Sequence, residues 1–306
     1  MINMDNTLAL QFMMFLMMGT GMFLARKKII TAEGRKCLTD ITIDVIIPCN
    51  MVAAFISADM SKLSDMAAIL IVSIVTQAVY YVLTRVWFRQ VEYKKRCVMR
   101  YGVMVSNAGF LGNPLVAEMY GQDGLLLASV FLVPVRLVLW TVGLSIFAPI
   151  DRKHVVKTAL THPCIVSVII GFFLMMVPLP LPLFLTKTIN SFSGALMPFS
   201  MLVIGTIIGD VDLRTIVSRD TLYLSFLRLI VLPAIMFGAA VLFHLEPLVA
   251  SVSVVLVGMP LGTTTAILAA KYDGDYIFAA KGVVLSTLLS MITIPIWSII
   301  VSQVIR

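Results

Sequence analysis

The sequence predicts an all-α polytopic membrane protein, and three observations carry that expectation. Of 306 residues, 60% are hydrophobic and 13% charged, against roughly 25% charged in a soluble domain. Apolar runs of about 20 residues, each long enough to cross a hydrocarbon core of about 30 Å, recur along the whole chain. Glycine and proline interrupt two of these runs from within, at Gly112-Asn113-Pro114 and at Gly258-Met259-Pro260.

Ten spans follow, at roughly 7–25, 36–57, 66–88, 96–120, 124–148, 161–178, 183–208, 217–243, 248–270 and 276–302. Before the first, Met1 to Asn6 holds Asp5 and no basic residue, so the positive n-region of a signal peptide is missing. Arg26, Lys27 and Lys28 come after that span instead, which predicts a retained helix with its N-terminus outside. Span two carries Pro48-Cys49-Asn50-Met51, and span three is plainly apolar. Span four is broken at Gly109, Gly112 and Pro114, because proline lacks an N–H and clashes with the preceding turn. Span five carries Arg136, 13 residues beyond Asp123 and so about 20 Å deep. Span seven carries Pro198-Phe199-Ser200-Met201, and span nine breaks at Gly258, Pro260 and Gly262. Arg228 in span eight and Lys281 in span ten read as shallower cations that snorkel toward an interface. Asp44 in span two lies a few turns from the cytoplasmic face and Glu118 close to the outer end of span four, so central acids are scarce.

Loop charge sets the orientation. The loops after spans one, three, five, seven and nine hold sixteen Lys and Arg, against three at Lys62, Lys187 and Arg306. This positive-inside bias puts both termini outside and the loop at 149–160 in the cytoplasm. That loop divides the chain into a first repeat, 1–148, and a second, 161–306. The halves echo each other: the two Pro-x-x-Met motifs are 150 residues apart and the two Gly-x-Pro-Leu motifs 146. Five spans is an odd number, so the second half enters the membrane from the opposite side, as an inverted repeat.

A broken helix frees backbone groups that lipid cannot satisfy, so such a break persists only where protein buries it or a wet cavity lines it. Two antiparallel spans broken at mid-membrane bring two half-helix N-termini together, each with unpaired N–H groups and about half a positive charge. This geometry suits a carboxylate. Ser106, Asn107 and Asn113 on one side, with Thr263, Thr264 and Thr265 on the other, are candidates to bind it or to cap the break. Arg136 costs on the order of 2.5–3.5 kcal/mol at its depth and needs a partner, either substrate or protein.

The run Ser106-Asn107-Ala108-Gly109-Phe110-Leu111-Gly112-Asn113-Pro114-Leu115 resembles the first crossover of the auxin efflux carrier family, which holds plant PIN-type carriers and bacterial organic-acid permeases. The ten spans and the five-plus-five repeat extend the resemblance over essentially the whole chain. It implies a secondary carrier of small organic anions, dimeric, with crossed broken helices around the substrate. It also implies an elevator motion of spans three to five and eight to ten against a scaffold of one, two, six and seven. Asn113, Pro114 and Pro260 then carry over as substrate-binding positions, beside Ser106, Asn107, Thr263, Thr264, Arg136 and Asn50. The short loop at 149–160 departs from plant carriers, so auxin is not implied; mono- and dicarboxylates such as malate or malonate are. The sodium–bile-acid carriers share the general architecture and supply the rival, a sodium-coupled organic-anion symporter. The implied setting is the cell membrane, with the lipid bilayer and a second copy as partners, and Gly194, Ala195, Gly205 and Gly209 offer close packing there.

Other classes fit poorly. The net charge of +7 belongs to loops and signals topology rather than nucleic acid. Four cysteines at 37, 49, 97 and 164 and three histidines show no metal spacing, so no metal and no cofactor is expected. Coupling to protons or to sodium is left open. Tyr272-Asp273-Gly274-Asp275 superficially resembles an aspartyl intramembrane protease, yet both acids fall in one turn at a helix end, so catalysis is not expected.

Overall fold

The computed structural model describes residues 4–58, 60–147, 161–177 and 181–305. The predicted linker 149–160, with Arg152, Lys153 and Lys157, lies outside the described residues, as does Arg306. The described chain is helical, and among its residues the β pairing is one isolated antiparallel bridge.

Among the described residues, six helices are long and apolar enough to cross a membrane: Ala32–Ile56, Leu63–Trp87, Ala108–Phe147, Leu183–Gly209, Arg219–Leu242 and Tyr276–Val304. Shorter apolar helices occupy Phe12–Arg26, Pro163–Met176 and Pro247–Val257. The chain is therefore an α-helical, multi-pass membrane protein. In order, α1 is Met4–Arg26 and α2 is Ala32–Ile41, capped by Thr31, whose hydroxyl accepts from Gly34 N at 3.2 Å. A π turn joins α2 to α3 (Ile47–Ile56), with Pro48 in its first turn, where a missing N–H costs nothing. Then come α4 (Leu63–Trp87), α5 (Tyr93–Met104), α6 (Asn113–Val138) and the short α7 (Leu144–Phe147). After the linker, α8 is Pro163–Met176, α9 Leu183–Gly194, α10 Leu196–Gly209, α11 Arg219–Phe226 and α12 Leu232–Leu242. The chain ends in α13 (Pro247–Val257), α14 (Thr264–Lys271) and α15 (Tyr276–Val304).

The caps are legible side chains. Ser218 and Thr221 form a reciprocal capping box on α11, and the Glu246 carboxylate accepts from Leu248 N and Val249 N at the head of α13. Between the predicted spans four and five the sequence promises a turn; the structure makes a sharp kink inside α6. Gly121 takes φ 67° and ψ −157° there, in a region that costs glycine little.

Two packing relationships position the site. α1 lies along α10, where Gly205 faces the Met18 carbonyl and Gly21 faces that of Leu202 so closely that a Cβ on either glycine would overlap backbone oxygen. Gly205 and Gly209, expected to offer packing to a second copy, are thus occupied within the chain by α1. On the other side, α4, α6, α13 and α15 pack together, and Ser73 of α4 donates to the Phe131 carbonyl of α6 at 2.6 Å. Ion pairs tie the element ends: Lys62 to Asp123 and Lys94 to Asp273 at 2.7 Å, Lys95 to Asp220 at 2.6 Å. The carboxylate hydrogen bond raises the pKa of each lysine above its ordinary value.

Candidate functional site

The non-helical backbone of the first break is Val105 to Asn107, upstream of the glycines that announce it in the sequence. Val105 is extended, with φ −118° and ψ 109°, and Asn107 has φ −81° and ψ 33°. Ala108–Gly112 is already a π turn, and Pro114 sits in the first turn of α6. Pro114 would clash with the carbonyl four residues back, that of Phe110, and the π turn Ala108–Gly112 widens the helix there, so the helix tolerates the proline and the break lies further upstream. The second break runs from Gly258 to Gly262, and Thr263 is the N-cap of α14.

The two breaks satisfy each other. Asn107 N donates to the Pro260 carbonyl at 2.9 Å, Gly262 N donates to the Val105 carbonyl at 3.1 Å, and Ser106 and Leu261 form the antiparallel bridge. Leu261 N finds the Ser286 hydroxyl of α15 at 3.2 Å. Backbone groups that lipid would strand are therefore paired strand to strand, the requirement for irregular backbone at membrane depth. Gly262 is needed at this contact, since a Cβ there would stand 3.1 Å from Val105 O and 3.3 Å from Ser106 O.

Arg228 closes the arrangement from behind. It is fully buried, and its Nε donates to Met259 O and its Nη1 to Val103 O, both at 2.9 Å. Those carbonyls end the first half of each broken helix, where the helix dipole is negative, so one guanidinium neutralises two C-terminal ends at once. The ring of Tyr80 lies 5.7 Å from the guanidinium. This corrects the expectation of a snorkelling Arg228: the side chain turns inward, toward acceptors that a lipid interface would not supply as rigidly. The depth arithmetic applied to Arg136 would have flagged it, because Arg228 lies nine residues past Arg219, about 14 Å along a helix.

In front of the paired breaks lies a cavity of about 30 Å³. Ser106, Asn107, Gly109, Arg136, Thr263 and Thr264 supply its polar wall, and Ile43, Phe110, Leu132, Val135 and Leu139 its apolar one. Arg136 is 9% exposed, and among the described residues it has no carboxylate or carbonyl acceptor. Its guanidinium rests on Gly109, where a Cβ would overlap Nη2. Tyr101 OH and Thr264 Oγ1 are 3.0 Å apart, and the Asn107 side-chain Nδ2 is buried without a partner. Thr263 also lines a second, larger pocket of about 670 Å³ between α2 and α10 on one side and α14 and α15 on the other. Arg35, Lys36, Asp40, Asp210 and Lys281 face this vestibule.

The sequence-predicted residues divide. Ser106, Asn107, Gly109, Arg136, Gly262, Thr263 and Thr264 converge on the small cavity, while Pro260 contributes its carbonyl to the backbone pairing. Asn113 is fully buried with both amide atoms unpartnered, but neither it nor Pro114 lines the cavity. Gly112 packs on Leu256 and Met259 instead, and Gly258 continues the end of α13. Asn50 stands apart, its Nδ2 donating to Ser193 Oγ at 3.0 Å on the α3–α9 contact. Besides Arg228, sequence reasoning missed Tyr101, Ser286 and the apolar wall, none of which carries a motif.

Comparison with known proteins bears on this arrangement. A family model described as membrane transport protein matches residues 10–158 and 152–298. The chain belongs to the auxin efflux carrier family. It is 27% identical over 272 residues to an uncharacterized transporter of Methanothermobacter thermautotrophicus, covering 88% of this chain and 89% of the relative. It is 28% identical over 204 residues to an uncharacterized transporter of Methanocaldococcus jannaschii, covering 63% of this chain and 65% of that one. As a member of the auxin efflux carrier family the chain is a membrane transporter, and the cavity in front of its paired breaks is the candidate transport site.

Proposed function

We propose that this chain is a secondary active carrier of small organic anions, mono- or dicarboxylates, across the cell membrane. One observation carries the reading. Arg136 is a buried cation, without an acceptor among the described residues, lining a cavity bordered by the π turn Ala108–Gly112 and by the start of α14. A buried cation is stable when an anion partners it, and a transported carboxylate supplies that partner for part of each cycle. The start of α14 adds its N-terminal end, and Asn107, Thr263 and Thr264 add neutral donors.

The architecture proposed with it is the ten-span, five-plus-five inverted repeat with spans four and nine crossing. The antiparallel pairing of Ser106 with Leu261 and the near-register motifs support that reading. The packing of α1, α3, α8, α9 and α10 with one another supports a scaffold against which α4 to α6 and α11 to α15 move as an elevator, in a homodimer. Outside termini follow from the loop charges.

The test is uptake of radiolabelled malonate, malate and indole-3-acetate into proteoliposomes under imposed proton or sodium gradients. Saturable uptake of one acid is expected in the wild type, abolished by Arg136→Gln and partly kept by Arg136→Lys. A sodium requirement would favour the rival symporter reading. No gradient-dependent uptake of any anion by folded protein would overturn the anion assignment.

A further inference from the structure

The end of α4 and the start of α5 gather four arginines, Arg85, Arg89, Arg96 and Arg100, and we infer that they form a binding site for the phosphate headgroup of an anionic phospholipid. A positive-inside bias accounts for basic residues in this loop, but not for the way they are held. Arg85 stacks over the Tyr81 ring, 4.5 Å from its centroid, and hydrogen-bonds the Tyr81 hydroxyl. Arg89 Nε donates to Arg85 O at 3.2 Å, and Arg96 Nη1 donates to Arg89 O at 3.4 Å while lying over Tyr93. Arg100 has a buried Nε with no acceptor and feels the like charge of Arg85 and Arg96.

Among the described residues, none of the four lies in an ion pair. Lys94 and Lys95 of the same segment are both matched, to Asp273 and Asp220, and Glu92 pairs with none of the arginines. Like charges held together without a counter-charge repel one another, and an anion from outside the chain removes the repulsion. A guanidinium fork matches a phosphate bidentately, where an ammonium offers only a point charge.

The membrane is the source the geometry favours. Ile71, Val75, Val79, Val82 and Val86 form an exposed apolar stripe along α4, and it ends where Arg85 and Arg89 begin. A lipid whose acyl chains lie on that stripe brings its phosphate to the arginines, at the depth where exposed Tyr93 marks an interface.

The experiment is the thermal stability of the purified full chain with dioleoylphosphatidylglycerol, with the matching phosphatidylcholine, or with inorganic phosphate. Phosphatidylglycerol alone is expected to raise the melting temperature of the wild type, by about 2–4 °C or more. The variant Arg85→Gln/Arg89→Gln, at two exposed positions, is expected to lose that rise. Arg85→Lys/Arg89→Lys, which keeps the charge without the fork, is expected to lose most of it. Lys27→Gln/Lys28→Gln, in another basic loop, is expected to keep it. The assignment is overturned if the Gln variant responds like the wild type, if the Lys variant retains the full rise, if the Lys27/Lys28 control loses as much, or if inorganic phosphate reproduces the effect.

Discussion

Arg228 donates its Nε to the carbonyl of Met259 at 2.9 Å, and through its Nη1 it holds the Val103 carbonyl at the same distance. One side chain from α11–α12 thus fastens the inner ends of both broken helices. Arg228→Met keeps the volume and strands two buried carbonyls, each costing about 1–3 kcal/mol. The expected outcome is a large fall in melting temperature and in folded yield. Arg228→Lys is expected to recover part of it, since one ammonium reaches one carbonyl more readily than both. Equal stability of Arg228→Met and wild type in a detergent melt would mean the breaks hold without the clasp.

Gly109 and Arg136 are related by exclusion. A Cβ on Gly109 would meet the far end of the arginine, not backbone, so Gly109→Ala displaces the guanidinium while leaving the fold in place. The expected result is an unchanged melting temperature with KM for the transported anion raised about tenfold, the equivalent of about 1.4 kcal/mol. A KM equal to wild type would show that Arg136 does not need its seat on Gly109.

Much of this was legible in the sequence, and the reason is chemical. A proline or glycine inside an apolar run marks a break wherever its partner lies, and an arginine 13 residues past Asp123 is deep by arithmetic alone. What stayed hidden depends on partners that carry no signature. The acceptors of Arg228 are main-chain carbonyls 31 and 125 residues away, and any residue type would present the same carbonyl. Asn50 shows the converse, since its motif is conspicuous but its amide serves a helix contact with Ser193. The break itself lies at Val105–Asn107, seven residues or more before Pro114, because the π turn Ala108–Gly112 accommodates the proline without breaking the helix.

Gly205 and Gly19 make a paired prediction about the α1–α10 contact. A Cβ on Gly205 would overlap the Met18 carbonyl oxygen, and two backbones cannot yield as a side-chain tip can. Gly205→Ala is therefore expected to destabilise by at least about 1–3 kcal/mol, the usual cost of overpacking. Gly19 has nothing within 4 Å of its built Cβ, so Gly19→Ala is expected to gain about 0.5–1 kcal/mol from helix propensity. Opposite signs in a thermal or denaturant series support close intrachain packing. A neutral Gly205→Ala would detach α1 from α10 and return this glycine to the contact between copies.

Thr263 borders both the small cavity and the vestibule, so a solute path between the two is expected to run past it. Cys37 is exposed and Cys49 half-buried, whereas Cys97 and Cys164 are buried, so Cys37→Ser/Cys49→Ser gives a quiet background for thiol labelling. In that background Thr263→Cys is expected to react with a membrane-impermeant methanethiosulfonate applied to the vestibule side, and to be protected by the transported anion. Asn113→Cys, at a position with no exposure, is expected to stay unlabelled. The contrast follows from geometry, because Thr263 lines the vestibule with Arg35, Lys36 and Lys281, while Asn113 is fully buried and lines neither the cavity nor the vestibule. If the thiol at 113 reacts and the one at 263 does not, the path used in transport runs on the other side of the breaks, and the vestibule is a surface recess.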